Sequence, residues 1–195
     1  MQLILNILVS FSLLLIVSFS FHQLYQVAKF FHLAHAVTIT FGAYFTYLFS
    51  VQLGWSLCIA ITLAIICAVV IPAMMEILIY KPLRNQGTSS WKMLIASLGL
   101  YVILQNLISM FWGDDTKSIR TWSVKTGHNF FGAYITDVQI ITIAVSVMLF
   151  VGVLLFLRFA SLGKQIRAVS SNEELSNIFG ISSDRVILWG FIIGS

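Results

Sequence analysis

Long apolar runs separated by short polar stretches follow one another along almost the whole chain. Leu3 to Phe21 is nineteen residues without a charge, long enough to cross hydrocarbon as a helix. No basic residue precedes it and no small-residue cleavage site follows, so it is expected to be retained rather than removed as a signal peptide. The second run, Phe30 to Phe49, is broken by His32, His35, Thr38, Thr40 and Gly42, and whether it crosses or re-enters stays open. The third, Trp55 to Tyr80, contains Pro72, which is expected to kink it, and Glu76. Lying about a turn from Lys81, Glu76 is expected to snorkel to the interface. A turn-rich loop is expected from Lys81 to Lys92. The fourth run, Met93 to Trp112, carries Gln105 and Asn106 side by side; the fifth, Val138 to Leu157, is uninterrupted. A sixth begins at Val186 and has ten residues to Ser195, too few to cross, which implies a fragment or an end covered by a partner.

Between the fifth and sixth runs, the polar stretch 158–185 reads as two short helices joined by a cap. Ser171 with Glu174 three positions on has the form of a capping box, placing the second helix start near Asn172. Gly180 supplies a left-handed stop after Phe179, with Ile181 placed to touch Leu175. Between these signals Leu175, Ile178 and Phe179 share one helix face. Two readings stand: the stripe packs on the protein's own membrane ends, or it enters a groove on a soluble partner.

Composition agrees with the pattern. The chain is 59% hydrophobic and 9% charged, with mean hydropathy +0.96, and Lys29 is the one formally charged side chain in the first 75 residues. The expected fold is all-α: a polytopic membrane protein with about five complete transmembrane helices, the start of a sixth, and a single transmembrane domain spanning 1–195. The net charge of +4 records orientation rather than a nucleic-acid partner. Two spans separate the basic loops 81–92 and 158–185, so they share a side, expected to be cytoplasmic. If the first three runs each cross once, Lys29 joins them and the N-terminus lies outside. The loop from Gly113 to Asp137 carries Trp122, Phe130, Phe131 and Tyr134, rings suited to a membrane interface; its Asp114 and Asp115 read as solvated.

Little of the chain points to reaction chemistry. Cys58 and Cys67 are about 13 Å apart on a helix, too far to bridge, and neither metal-ligand spacings nor a clustered nucleophile and base occur within the runs. The polar residues of the second run are the pathway candidates: His32, His35, Thr38, Thr40 and Gly42, since ionisable groups at membrane depth face a bundle interior or a water path. The alternative is a neutral imidazole bonding a neighbouring helix. For Gln105 and Asn106 the choice is between interhelical hydrogen bonding and contact with a solute.

These motifs, in their order, resemble the LivH-type permease family of branched-chain amino acid ABC transporters. Leu33-Ala34-His35-Ala36 with Gly42-Ala43-Tyr44 is similar to the family's Phe-Ala-His-Gly…Gly-Ala-Tyr segment, and Tyr80-Lys81-Pro82-Leu83-Arg84 to its Tyr-Arg-Pro-Leu-Arg loop. Ser97, Gly99 and Leu104-Gln105-Asn106 match the next helix, and Gly113 the turn after it. Gly163, Arg167-Ala168 and Gly180-Ile181 resemble its cytoplasmic coupling loop. Two departures stand out: Ala36 replaces a Gly after the motif His, and the family continues through further helices beyond the position of Ser195.

The resemblance implies a multi-pass inner-membrane permease subunit that translocates branched-chain or related amino acids and is not an enzyme. It would bind no cofactor, and having no Gly-rich phosphate loop it would leave ATP hydrolysis to a partner. The implied partners are ABC ATP-binding subunits, a second permease subunit, an extracytoplasmic solute-binding protein and the lipid bilayer, with no nucleic acid. Gly163, Arg167, Glu174, Leu175, Ile178, Phe179 and Gly180 would couple to the ATP-binding subunit. The polar groups of the second and fourth runs would suit an amino-acid zwitterion, and equally urea or short amides. A non-transporting scaffold or decayed permease fragment is the alternative of another class.

Overall fold

α1, Gln2–Ala28, is one unbroken 27-residue helix with four buried residues, Ser12, Leu24, Val27 and Ala28. Much of its apolar surface is exposed, Leu3, Phe11 and Leu14 among it, as suits a helix with one side against hydrocarbon. It belongs to a computed structural model that describes residues 2–119, 127–130 and 133–195. Trp122 and Phe131 lie outside the described residues.

Among the described residues, four helical runs are long and apolar enough to cross a membrane: Gln2–Ala28, Leu57–Asn85, Ser90–Trp112 and Asp137–Phe159. The second of these joins α3 (Leu57–Met75), a π turn (Glu76–Tyr80) and α4 (Lys81–Asn85). Helix therefore persists where a turn-rich loop was expected from Lys81. Pro82 sits in the first turn of α4, directly after the π turn Glu76–Tyr80. The third and fourth runs are α5 and α6. A short antiparallel hairpin of β1 (His128–Phe130) and β2 (Ala133–Ile135) precedes α6. Thr136 then caps α6 through a true capping box: Gln139 N donates to Thr136 Oγ1 at 3.4 Å, and Thr136 N to Gln139 Oε1 at 2.9 Å.

The polar second run is built differently. α1 ends at Lys29, whose φ of 58° turns the chain, and residues 30–34 are not helical although Phe30, His32 and Ala34 are buried. α2 follows as His35–Tyr47 and continues through a π turn, Leu48–Gln52. Tyr44 and Phe45 meet Trp112, the last residue of α5, at centroid distances of 5.3 and 6.1 Å. α2 thus runs from inside the bundle toward the end where α5 finishes. It packs along α3 through small side chains: a Cβ on Gly42 would sit 3.8 Å from Ala68 Cβ.

Side-chain contacts define the two ends. At one, Gln2 exchanges two hydrogen bonds with the Tyr134 backbone, 3.0 and 2.8 Å. At the other, Lys29 Nζ donates to the Ser170 carbonyl near the end of α7 (Ser161–Ser171), and Arg84 pairs with Asp184 on α9 (Ser183–Gly194). Lys29 therefore shares an end with the 81–92 and 158–185 segments, as the sequence implies.

Between α7 and α9 lies α8, Glu173–Ile178. Its cap is Asn172, whose Oδ1 accepts from Leu175 N at 2.9 Å, and not Ser171. Ser171 is still the last helical residue of α7, whereas Asn172, with φ −154° and ψ 108°, has the extended backbone an N-cap needs. The stop at Gly180 is as expected: φ is 81°, Gly180 N donates to Asn177 O and Ile181 N to Ser176 O, both at 3.0 Å, the paired bonds of a Schellman end.

The corner between α6 and α7 depends on one absent side chain. A Cβ on Gly163 would lie 2.5 Å from Leu157 Cα and from its carbonyl oxygen, both backbone atoms that cannot swing away. Gly163→Ala is expected to destabilise the fold by about 1–3 kcal/mol, read as an earlier thermal transition in detergent. Gly152→Ala on α6, with nothing within 4 Å of the new methyl, should not. Equal melting of the two variants would remove the packing argument.

Candidate functional site

The irregular segment 30–34 places two imidazoles inside the bundle. His32 and His35 are 1% and 2% exposed, with ring centroids 6.3 Å apart. His32 Nδ1 is hydrogen-bonded to the Tyr80 hydroxyl at 3.0 Å and lies 3.4 Å from Ser97 Oγ; Phe30, Tyr80 and Phe191 wall its ring. Ser97 Oγ also accepts the Ala34 N–H at 3.0 Å. His35 Nε2 lies 2.6 Å from Ser20 Oγ, and Ser20 donates its proton to the Gly194 carbonyl at 2.6 Å. A hydroxyl has one proton to give, so His35 Nε2 is the donor and its Nδ1 is bare. Among the described residues, His32 Nε2, His35 Nδ1 and Glu76 Oε2 are buried without a hydrogen-bond partner. Both histidines thus bond neighbouring helices, the plainer of the two expectations, while each keeps one polar atom unused.

Beside this knot is a cavity of about 550 Å³ between α1, α2, α3, α6 and α9. Its wall is largely aliphatic, with Ile16, Ile65 and Val153 among its residues, and its polar groups include Ser20, Gln23, Thr38 and Thr46. Gly42 and Ala68 face one another across the α2–α3 side. Of the sequence candidates, the cavity brings together Thr38 and Gly42, with His35 one hydrogen bond away through Ser20. Thr38 Oγ1 is already committed to the His35 carbonyl at 2.7 Å.

Three candidates lie elsewhere. Thr40 is half-buried, lies outside the cavity lining and bonds Ala36 O at 3.1 Å. Asn106 is exposed, its amide donating to Val102 O on its own helix at 2.7 Å, and Gln105 is half-buried on α5 away from the cavity. Adjacent residues on a helix point about 100° apart, so the pair cannot aim both amides at one solute. Ser20, Gln23 and Thr46, which do line the cavity, were missed because single polar residues in apolar runs carry no spacing signal.

A charge cluster ties this region to the basic end. Glu76, expected at the interface, is 1% exposed. Arg84 bonds its Oε1 at 2.7 Å and Asp184 Oδ1 at 3.1 Å, and Lys81 reaches Asp184 Oδ2 at 3.1 Å. The correction has a physical cause, since helix continuing to Asn85 keeps Arg84 close enough to neutralise the carboxylate inside the bundle. On Asp184, burial pushes the carboxyl pKa up, but hydrogen bonds and charge from Lys81 and Arg84 outweigh it and hold the value low. Its contribution is therefore present at neutral pH and lost as pH falls through that lowered value.

At the same end α8 presents Leu175, Ile178 and Phe179 at 50%, 79% and 76% exposure. They are not packed on the protein's own membrane ends. Glu174 is exposed beside them. Gly163 is buried in the α6–α7 corner, while Arg167 is exposed and donates to the Leu157 carbonyl and, at 3.5 Å, to that of Arg158. Arg167 caps the end of α6, and the two residues set the angle of the loop.

Comparison with known proteins agrees with this architecture. Residues 3–195 match the family described as branched-chain amino acid transport system, permease component. The chain is 25% identical over 193 residues to the high-affinity branched-chain amino acid transport system permease protein LivH of Escherichia coli K12, covering 92% of this chain and 62% of that protein. The LivH of Salmonella typhimurium gives the same identity and coverage. BraD of Pseudomonas aeruginosa, a permease protein of the same description, is 30% identical over 122 residues, 60% of this chain and 38% of its own length. The chain thus spans about three-fifths of the length of the LivH relatives. No solved structure matches it.

The Glu76–Arg84 pair gives a direct test of the site's construction. Arg84→Met strands a buried carboxylate and is expected to cost about 3–5 kcal/mol. The double variant Glu76→Met/Arg84→Met should recover most of that loss in the same thermal or denaturant titration. A double variant no better than the single one would mean that the pair is not what holds α4 to the bundle.

Proposed function

The chain belongs to the permease component family of branched-chain amino acid transport systems, and from that premise we propose that it is the membrane-spanning subunit of an ATP-driven importer in the inner membrane. The carrying observation is the apolar face of α8. A helix of six residues is too short to be stable alone, yet it is capped at both ends and keeps three large apolar side chains uncovered. Such a face suits a groove on a soluble subunit, here the ATP-binding partner, with the basic end cytoplasmic.

In this reading the chain contributes a path and a lever. The cavity takes the solute: its aliphatic wall suits a branched side chain, with the Gln23 amide offering polar contact and the Thr46 hydroxyl, whose proton goes to the Gly42 carbonyl at 2.8 Å, offering an acceptor. That wall favours a branched-chain amino acid over urea or a short amide, which would bury little apolar surface there. His32 and His35 hold the irregular segment that opens the space. ATP is bound and hydrolysed by the partner, which shifts the permease between conformations only as far as it grips α8 differently in each. A solute-binding protein on the far side would deliver the substrate, and a second permease subunit would complete the path.

Phe179→Asp is expected to weaken co-purification with the ATP-binding subunit at least about 30-fold, the cost of a central apolar anchor, without changing thermal stability in detergent. Full recovery of the complex with this variant would sink the docking assignment. Uptake by the reconstituted complex, measured with leucine and with urea, separates the two substrate classes.

A further inference from the structure

We propose that the groove between α1, α6 and α7 at the basic end is a binding site for one anionic phospholipid. The groove has a volume of about 480 Å³, and Gln26, Val151, Leu154, Leu155, Arg158 and Arg167 are among its walls. Its two halves differ in chemistry. Val151, Leu154 and Leu155 are 44%, 42% and 50% exposed on α6, the outward side of a span. Arg158 stands on the last turn of the same helix, about 10 Å along the axis beyond Val151 at the standard rise. An apolar channel that ends in guanidinium groups fits an acyl chain below a phosphodiester.

Charge argues for an anionic headgroup. No acidic residue occurs from Arg158 to Asn172, and none lines the groove. α7 buries Gly163, Ile166 and Val169 against the bundle while Lys164 and Arg167 remain exposed, so it lies on the bundle with its cations outward, as interfacial amphipathic helices do. Arg167 is held in place by the α6 carbonyls and keeps its charge. Arg158 packs over its neighbour's ring, 5.6 Å from the Phe159 centroid, which leaves its N–H groups for a phosphate. Basic pockets between helices on this side of a membrane commonly take such headgroups. A protein partner would need carboxylates at the same height and is an outcome of the test below.

The test is native mass spectrometry of the full chain in a neutral detergent, titrated with phosphatidylglycerol or with phosphatidylcholine of identical acyl chains. One phosphatidylglycerol should be retained preferentially. Arg158→Gln should cut that preference about fivefold, as expected for one interfacial cation. Leu154→Trp, which fills the channel without changing charge, should lose the lipid while the melting temperature is kept. Lys92→Gln, a basic residue at the same end outside the groove, should change nothing. Equal retention of the two lipids, an unaltered preference in Arg158→Gln, or an equal loss in Lys92→Gln would overturn the site. Displacement by glycerol phosphate at equal concentration would mean a free phosphate-ester site, and displacement by a co-purifying protein would mean a protein interface; either result rejects the lipid.

Discussion

Backbone that leaves the helix inside a membrane must find hydrogen bonds in the protein, because hydrocarbon supplies none. Residues 30–34 fall under that constraint, and contacts from three spans gather on them and on the start of α2. Ser97 on α5 takes the Ala34 N–H, Tyr80 at the end of the α3 π turn holds His32, and Ser20 on α1 holds His35. Three spans are thereby tied to four consecutive residues, 32–35. Starting α2 from within the bundle leaves room beside it, and the 550 Å³ cavity occupies that room. A continuous helix through 30–52 would satisfy its own backbone, and the three bonds from α1, α3 and α5 would have no common target.

The π turn Glu76–Tyr80 links this knot to the charged end. Its first residue carries the buried carboxylate and its last the hydroxyl on His32. A π turn adds a residue to the helical circuit, which changes the faces that the residues after it present. Arg84 then bridges Glu76 to Asp184 at the start of α9. Neither ion pair would be a strong stabiliser by itself, since desolvation offsets much of the attraction. What they supply is register, because a buried Glu76 tolerates no position of α4 that takes Arg84 away.

How much of this the sequence showed depends on whether a feature is local. Spans are set by runs of apolar residues, so α5 and α6 were legible nearly to their ends, while α1 continues seven residues beyond the expected Phe21, to Ala28. The Gly180 stop was legible because a positive φ selects glycine. The start of α8 was harder: Ser171 and Glu174 have capping-box spacing, but the end of α7 decides which residue is extended, and that choice gives Asn172 the role. Glu76 was misplaced because its partner depends on helix persisting past Lys81, which a Lys-Pro pair does not advertise. The cavity was legible only at Thr38 and Gly42, since Ser20, Gln23 and Thr46 come from separate spans. Nothing in their own neighbourhoods marks them.

The same contacts bear on how a force on α8 would travel. Asn177 Oδ1 accepts from Ser183 N at 3.2 Å and from Ser183 Oγ at 3.0 Å, so the end of α8 is fastened to the first turn of α9. α9 carries Asp184 into the charge cluster, and further along it packs closely on α1: a Cβ on Gly190 or Gly194 would approach Val27 or Leu24 to 3.0 or 2.9 Å. Gly194 also accepts the proton of Ser20 beside the cavity. With so little slack, α8 cannot move as a rigid unit without displacing α9, and α9 cannot move without disturbing either the Arg84 bridge or the Ser20–His35 contact. Contiguity of this kind is necessary for coupling but does not amount to it. Coupling further requires that whatever binds α8 hold two positions of it with different affinity; in the proposed reading the uncovered Ile178 and Phe179 would register that difference.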